Sequence, residues 1–436
     1  MRDILVFAMV FGSIPYILKH AYIGVLVWSW LSYMNPHRLT WGAAYDFPFA
    51  QVVAISLFIS LLFDREKKRI PINHIVILWL LFIAWTFVSS QFAYFPNDAW
   101  AYLPTIIKIQ LIIFIAMAMM GSEERIRLMI WVIFFSIGFF GIKGGIFTIK
   151  TAGGARIFGP AGSFIADNNH LAVAMLMVMP LGFYLIKHEV KRILHKRLIS
   201  GALLLIGLSV FASYSRGAFL AIAAVSVYLW WKTPNKLVSG VVGVILLAIA
   251  VMFMPDAWTD RMGSIGEYQS DKSASDRLNS WQYAINVANA RFTGGGLISW
   301  SRETFQIWAP NPDSVFVAHS IYFAVLADHG WVGLILFLMI FISAWRMAGR
   351  LSKLIPSKSE NKYLWMGDLA RMIQVSFVAY ATGGAFLSLA YFDLPWHLVG
   401  IVVLLDQLAR REGVITTRSL RPGNQLHSST ASVSRS

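Results

Sequence analysis

Two arginines and one histidine of this 436-residue chain have side chains suited to group transfer at a phosphate: Arg216, Arg277 and His319. A guanidinium presents a planar fork of donors that matches phosphate oxygens, so a pair of arginines predicts a diphosphate site. The imidazole of His319 has a pKa that suits removal of a proton from a hydroxyl near neutral pH. The sequence has no Ser/His/Asp order and no GxSxG element, which argues against hydrolysis.

Each of these residues also has an explanation that involves no chemistry. Arg216 lies at a helix turn in SYSRGAF, where it can snorkel and satisfy backbone carbonyls. Arg277 shares a helical face with Trp281, and the pair can belong to a solvated helix on the membrane surface. A histidine that opens an apolar helix, as His319 does, is usually packed and hydrogen-bonded. Other arginines of the region are weaker phosphate ligands and more often surface residues: Arg261, Arg291 and Arg302.

A second polar cluster lies in the stretch GPAGSFIADNNH, which precedes an apolar segment. Asp167, Asn168 or Asn169 can cap the following helix. If they face a cavity instead, they can hydrogen-bond a sugar or a phosphate. Asp328 and His329 come more than two helical turns after the start of their own helix, so we do not expect them to contact the histidine there.

The composition predicts an all-α, polytopic membrane helical bundle. Hydrophobic residues make up 57% of the chain and charged residues 14%, and the mean hydropathy is +0.61, whereas about a quarter of a soluble domain is charged. About 20 apolar residues cross the hydrocarbon core, and roughly 12 to 13 segments qualify, the first two being short. They are 3–18, 20–34, 48–63, 72–90, 102–120, 128–149, 169–187, 199–214, 217–232, 237–254, 330–347, 370–390 and 395–409.

Residue types exclude several classes of site. The chain has no cysteine, which excludes disulfides, thiolate metal sites and a cysteine nucleophile. The ten histidines are scattered without an HExxH pattern, so we expect no metal site and no cofactor. The net charge of +15 lies mostly in short loops between spans, as the positive-inside rule requires, and does not indicate nucleic-acid binding.

The charge of the loops predicts the topology. Basic loops alternate along the chain and are assigned to the cytoplasm: 64–69, 125–127, 187–197, 232–236 and 346–362. The opposite face, periplasmic in a bacterium, then carries the longest loop. Its arginines lie on the side where the positive-inside rule disfavours basic residues, which points to a specific role for them. Four regions follow: a first membrane part (1–254), a periplasmic loop with short helices (255–318), a second membrane part (319–409) and a disordered cytoplasmic tail (410–436).

Four motifs, in order, resemble the bacterial O-antigen ligase and polymerase superfamily: GSFIADNNHLA, SYSRGAF, DRLNSWQYAI followed by three glycines, and HSIYFAVLADHGWVG. The resemblance implies a metal-independent membrane glycosyltransferase whose donor is a glycan on undecaprenyl diphosphate. It implies that His319 activates the acceptor hydroxyl and that Arg216 and Arg277 hold the diphosphate. The first 39 residues look more narrowly like the O-glycosylation ligases associated with exosortase A systems.

The resemblance leaves the acceptor open among a lipid A core, another glycan and a protein hydroxyl, since ligases and polymerases share these motifs. The expected partners are the lipid-linked glycan and membrane lipids, in the bacterial inner membrane with the site facing the periplasm. A polysaccharide or lipid transporter would instead show internal repeats and place its site near the bilayer midplane. We find no such repeat, and a scaffold protein would leave the arginines unexplained.

Overall fold

Helices form all the regular secondary structure in the part of the chain that the computed structural model describes: residues 1–66, 69–154, 156–252, 272–358 and 361–415. These ranges contain fifteen α-helices: α1 (Arg2–Lys19), α2 (Ala21–Met34), α3 (Phe49–Phe63), α4 (His74–Gln91), α5 (Pro96–Met119), α6 (Glu123–Lys150), α7 (Asn168–His188), α8 (Ile193–Phe211), α9 (Arg216–Lys232), α10 (Lys236–Met252), α11 (Lys272–Ala290), α12 (Arg302–Trp308), α13 (Ile321–Lys358), α14 (Leu364–Gly384) and α15 (Asp393–Arg411). Short 3-10 helices occupy Pro36–Leu39 and Asn361–Tyr363. The predicted all-α class is confirmed.

Each predicted span falls on one of these helices, and residues 1–34 form two helices, α1 and α2. Within the described ranges, six helices are long and apolar enough to cross a membrane: α4, α5, α6, α7, α8 and the Ile321–Ile355 part of α13. Shorter apolar helices are Ala21–Met34, Phe49–Phe63 and Lys236–Ile245. Length and composition therefore support six crossings, and the larger predicted number stays a prediction.

Helix α15 lies at the centre of the hydrophobic core, and its side chains are buried along nearly its whole length. Its Trp396 lies at the centre of an aromatic cluster, with ring centroids 5.1 Å from both Trp79 and Phe341 and 5.7 Å from Phe82. Helices that surround a central apolar helix hold its position by close packing, because interior voids are costly. The loops at the ends of the bundle therefore connect helices that are held in place by close packing.

Helix α13 bends at Gly330, which has φ 65° and ψ −170°. Only glycine fits there, since a Cβ atom would lie 2.5 Å from the carbonyl oxygen of Phe292. The bend frees carbonyls of the preceding turn, and the turn 294–296 satisfies two of them. The amides of Gly295 and Gly296 donate to Ala327 and Asp328 at 2.7 and 3.0 Å. The sequence predicted a span beginning at the bend, whereas the helix already begins at Ile321.

The described part of the predicted long loop contains the two short helices α11 and α12. Residues 255–271, and with them Arg261, lie outside the described residues, as do residues 416–436 of the predicted tail. The side of the membrane on which the loop lies stays a prediction. Helix α11 packs against α13, and this contact builds the site described next.

Candidate functional site

The segment that leads into His319 has no regular secondary structure and lies on the surface of α11. Three consecutive side chains of α11 donate to its backbone carbonyls. The distances are 2.8 Å from Asn279 Nδ2 to Asn311, 3.0 Å from the same atom to Ser314, 2.9 Å from Ser280 Oγ to Phe316 and 2.8 Å from Trp281 Nε1 to Ala318. Since a buried carbonyl without a donor is costly, these bonds fix segment 311–318, and so the position of the next residue.

His319 lies at the junction of this segment and α13. Its backbone has φ 42°, a left-handed conformation that costs a non-glycine residue roughly 1–2 kcal/mol. Such strain persists only where the surroundings enforce it, and it is frequent at active sites. The half-buried imidazole has no hydrogen-bond partner among the residues that the structure describes.

Titratable groups from α11 and from the start of α7 lie near His319. Burial lowers the pKa of His319 below 6.5, and the cation of Arg277 on α11 and His170 on α7 lower it further. The carboxylate of Asp167, directly before α7, acts in the opposite direction. The fold has therefore brought together His319 and Arg277, two of the three residues selected from the sequence. The lowered pKa keeps the imidazole neutral, which is the form that accepts a proton.

The sequence offered Asp167 as a helix cap or a sugar or phosphate ligand, whereas His170 was not selected. Asp167 caps α7, and its Oδ1 accepts from the backbone amide of Asn169 at 2.8 Å. The same oxygen lies 3.3 Å from Nδ1 of His170 and 2.8 Å from Nδ2 of Asn169. The hydrogen bond from His170, foremost, lowers the pKa of Asp167. The capping role predicted for this motif is confirmed, and the same residues lie beside His319.

Asn168 connects this cluster to the turn that carries Arg216. It is only 4% exposed, and its Nδ2 donates to the carbonyl of Ser213 at 2.6 Å. Ser215 caps α9 by accepting from the amide of Ala218, which makes Arg216 the first helical residue. The start of α7 therefore anchors the start of α9.

A second chain of contacts relates Arg216 to α11. Gly217 follows Arg216 and lies against Phe386, since a Cβ atom there would be 3.3 Å from Cβ of Phe386. The ring of Phe386 lies 6.4 Å from the ring of Trp281, whose indole supports the segment before His319. All four sequence motifs thus meet at one end of the bundle.

The other arginines selected from the sequence lie elsewhere. Arg291 donates to the carbonyls of Gly294, at 3.1 Å, and Phe92, and its guanidinium lies 4.2 Å from the ring centroid of Tyr94. These contacts brace the glycine turn, so a phosphate role for Arg291 has no support from its surroundings. Arg302 is exposed at the start of α12.

Asp328 and His329 are buried inside the bundle, and, as predicted, their hydrogen bonds do not involve His319. The ring of His329 lies 2.6 Å from Oγ of Ser89 and 2.8 Å from the hydroxyl of Tyr391, which also donates to Asp328 at 2.9 Å. This network joins α4, α13 and the loop before α15. Its role is structural, and its groups do not contact His319.

Two apolar cavities begin next to the candidate residues. One, of about 290 Å³, lies between α13 and α14 and starts at Ile321 and Tyr322, directly after His319. The other, of about 430 Å³, lies between α7, α8, α9 and α14, and its lining includes Val210 and Phe211 at the end of α8. Among the described residues, no group of three His, Asp or Glu side chains could hold a metal ion. The reaction's independence from metals stays a prediction.

Two family models match the chain. Residues 201–338 match the family described as O-Antigen ligase, and this match contains Arg216, Arg277 and His319. Residues 1–190 match a family of unknown function, and a search among curated proteins finds no match. The resemblance to the O-antigen ligase superfamily is confirmed, and the chain carries a membrane-enzyme domain of O-antigen ligase or polymerase type. The exosortase-associated subtype stays a prediction.

Proposed function

We propose that the chain transfers a glycan from undecaprenyl diphosphate to an acceptor hydroxyl at the periplasmic face of the inner membrane, and the match of residues 201–338 to the O-antigen ligase family supports this proposal. The observation that carries this proposal is the grouping of His319 with Arg277 at one end of the bundle. A transferase of this kind needs a base for the incoming hydroxyl and positive charge for the departing diphosphate. An imidazole and a guanidinium supply these two functions.

In the proposed reaction, His319 takes the proton of the acceptor hydroxyl while the hydroxyl oxygen attacks the anomeric carbon of the donor. The bond from that carbon to the diphosphate oxygen breaks, and its electron pair leaves with undecaprenyl diphosphate. Arg277 and Arg216 stabilise the negative charge that develops on the leaving group. The burial of His319 and the cation beside it favour the neutral imidazole that this step requires.

The apolar cavities suit a donor with a long lipid tail. The first runs from Ile321, two residues after His319, to Trp345, and the second lies along α9 from Ile222 to Leu229, six or more residues after Arg216. A tail that moves from the bilayer into such a cavity gains no hydrophobic free energy, so van der Waals packing against the cavity walls would hold it. A lipid tail in either cavity would hold the diphosphate beside the arginines.

Transfer can be tested with purified protein in lipid nanodiscs, a glycan on undecaprenyl diphosphate, and acceptors that include lipid A core and a serine-containing peptide. The wild type should form a glycosylated acceptor, and product length separates one transfer from polymerisation. His319→Ala should bind the donor but transfer about 10²–10⁴ times more slowly, the usual cost of losing a general base. The matched control is His195→Ala, which removes an exposed histidine at the start of α8.

The same assay separates the proposal from its rivals. Wild-type transfer should persist in EDTA, and loss that Mg²⁺ restores would contradict a leaving group stabilised by arginines. Movement of intact donor across the bilayer without a new glycosidic bond would identify a transporter. Transfer by His319→Ala at the rate of His195→Ala would remove His319 from the mechanism.

A further inference from the structure

A polar cavity of about 230 Å³ lies near the start of α15, apart from the apolar cavities. We call it the Asp393 cavity. It is enclosed by α2, the 3-10 helix Pro36–Leu39, the loop 162–165 and the residues at the start of α15. Its polar side is lined by Ser32, Asn35, His37 and Asp393, and aromatic rings line it at Trp28, Phe164 and Phe392. The reaction described above uses none of these residues.

The polar groups of the cavity are held in place and retain hydrogen-bonding capacity. Asp393 is 4% exposed and accepts from Ser32 Oγ at 2.5 Å and from the backbone amides of Asp393 and Leu394, which leaves about one of the roughly four lone-pair sites of a carboxylate. Asn35 donates to the carbonyl of Ser32 at 2.6 Å, so its amide oxygen can still accept. Nδ1 of His37 is buried and has no hydrogen-bond partner among the described residues. A ligand with several hydroxyls would satisfy these groups.

The combination of aromatic rings with planar acceptors indicates a sugar rather than a phosphate. A pyranose packs its C–H face on an aromatic ring and donates its hydroxyls to carboxylate and amide oxygens. A phosphate would face the carboxylate of Asp393, and the neighbouring cation, Arg38, is paired with Asp46 at 3.1 Å. At roughly 30 Å³ per water, the cavity corresponds to about seven or eight waters, the size of one sugar ring.

The cavity lies at the same end of the bundle as His319. The loop between α14 and α15 runs from Phe386, which lies beside Trp281, to Phe392, which lines the cavity. On another side, Ile165 lines the cavity two residues before Asp167 of the His319 group. A sugar in the cavity would therefore belong to a glycan that reaches the reaction site.

We propose that the Asp393 cavity binds one sugar ring of the glycan substrate and selects which glycan is transferred. This inference rests on the proposed function. It also assigns a role to the N-terminal part of the chain, because Asp393 and Phe392 are the cavity's only contributors outside residues 1–190 among the described residues. The sugar can come from the acceptor or from the donor.

Two variants test the proposal: one fills the cavity with a large side chain, and the other removes the negative charge of Asp393. Ala50→Trp adds an indole from the exposed N-terminal turn of α3, where Ala50 lines the cavity. Asp393→Asn keeps the shape but loses a charge-assisted hydrogen bond, which corresponds to about a tenfold loss of affinity. Ala101→Trp, at an exposed position of α5 that does not line the cavity, is the matched control.

Transfer kinetics in nanodiscs give the first measurement. Ala50→Trp and Asp393→Asn should raise KM about tenfold or more for one substrate, while Ala101→Trp leaves KM unchanged. A rise for the acceptor assigns the sugar to the acceptor, and a rise for the lipid-linked glycan assigns it to the donor. Wild-type KM values for both substrates in Ala50→Trp would overturn the inference, although the transferase itself would stand.

Binding of free methyl pyranosides, followed by saturation-transfer NMR, gives a measurement that does not depend on transfer. A panel of gluco-, galacto-, manno-, rhamno- and N-acetylglucosamine derivatives should include one that binds wild type and Ala101→Trp but not Ala50→Trp. If wild type transfers no glycan but shows this pattern, the proposed function fails and the sugar site stands. Absence of both transfer and pyranoside binding would overturn both.

Discussion

Replacement of Trp281 by Phe tests whether α11 positions His319 for the reaction. The substitution removes the 2.8 Å bond from Nε1 to the carbonyl of Ala318. Ala318 is 1% exposed, so water cannot replace the donor, and the loss costs about 1–3 kcal/mol. The Phe ring can keep the stacking on Phe323, whose centroid lies 4.8 Å away. A change of about 1.4 kcal/mol corresponds to a tenfold change in an equilibrium constant. The equilibrium constant for holding the segment before His319 against α11 therefore falls by about 5- to 150-fold.

The assay compares kcat for glycan transfer with the Kd for the lipid-linked donor. We expect kcat to fall about tenfold in Trp281→Phe while the donor Kd changes less than about threefold, because the diphosphate ligands stay in place. The control is Trp331→Phe, whose Nε1 donates to Asn289 at 2.9 Å at a site that is 44% exposed. A less stable Trp281→Phe protein with wild-type kcat would refute the positioning argument.

Three further predictions concern the arginines, the base and the bend. Arg216→Lys and Arg277→Lys keep the charge but lose the planar fork, so kcat/KM for the donor should fall about 10- to 100-fold, and the Ala variants should lose more. Because the pKa of His319 is lowered, kcat/KM should decline only below pH 6.5 as the imidazole gains a proton. Arg277→Gln removes a cation that lowers this pKa, so the acidic limb of its pH profile should move to higher pH. Gly330→Ala should lower the free energy of unfolding by about 2 kcal/mol or more and reduce the melting temperature, whereas Gly201→Ala, which meets no atom within 4 Å, should not.

Hydropathy was sufficient to locate the helices, because each apolar segment must satisfy its own backbone hydrogen bonds in lipid. It started the candidate span of α13 only at residue 330, although the sequence had placed the opening of a helix at His319, close to the observed start at Ile321. The bend at Gly330 depends on a glycine turn more than thirty residues earlier, and no local pattern reports that contact. The polar network of His329 was foreseen only as packing, since its partners come from other helices.

The site was predicted in part. Residue types selected His319, Arg277 and Arg216 because their chemistry suits diphosphate transfer. Asp167 and His170 were missed as neighbours of His319, because a helix cap has the same sequence pattern whether or not it faces a site. Arg291 had the same residue type as the selected arginines, and only its contacts with backbone carbonyls show that it supports a turn.

The length of α13 sets the depth of the reaction. At 1.5 Å per residue, α13 rises about 24 Å from Gly330 to Arg346, and the turns from Ile321 to the bend add up to about 13 Å along their own direction, whereas the hydrocarbon layer is about 30 Å thick. With Arg346 at one surface, the first turns of α13 extend beyond the opposite edge of the hydrocarbon, into the layer of lipid headgroups. A diphosphate whose tail remains among the acyl chains lies in that same layer. Under the proposed function, α13 would hold His319 at the level of the donor's phosphates, and the donor would react without leaving the membrane.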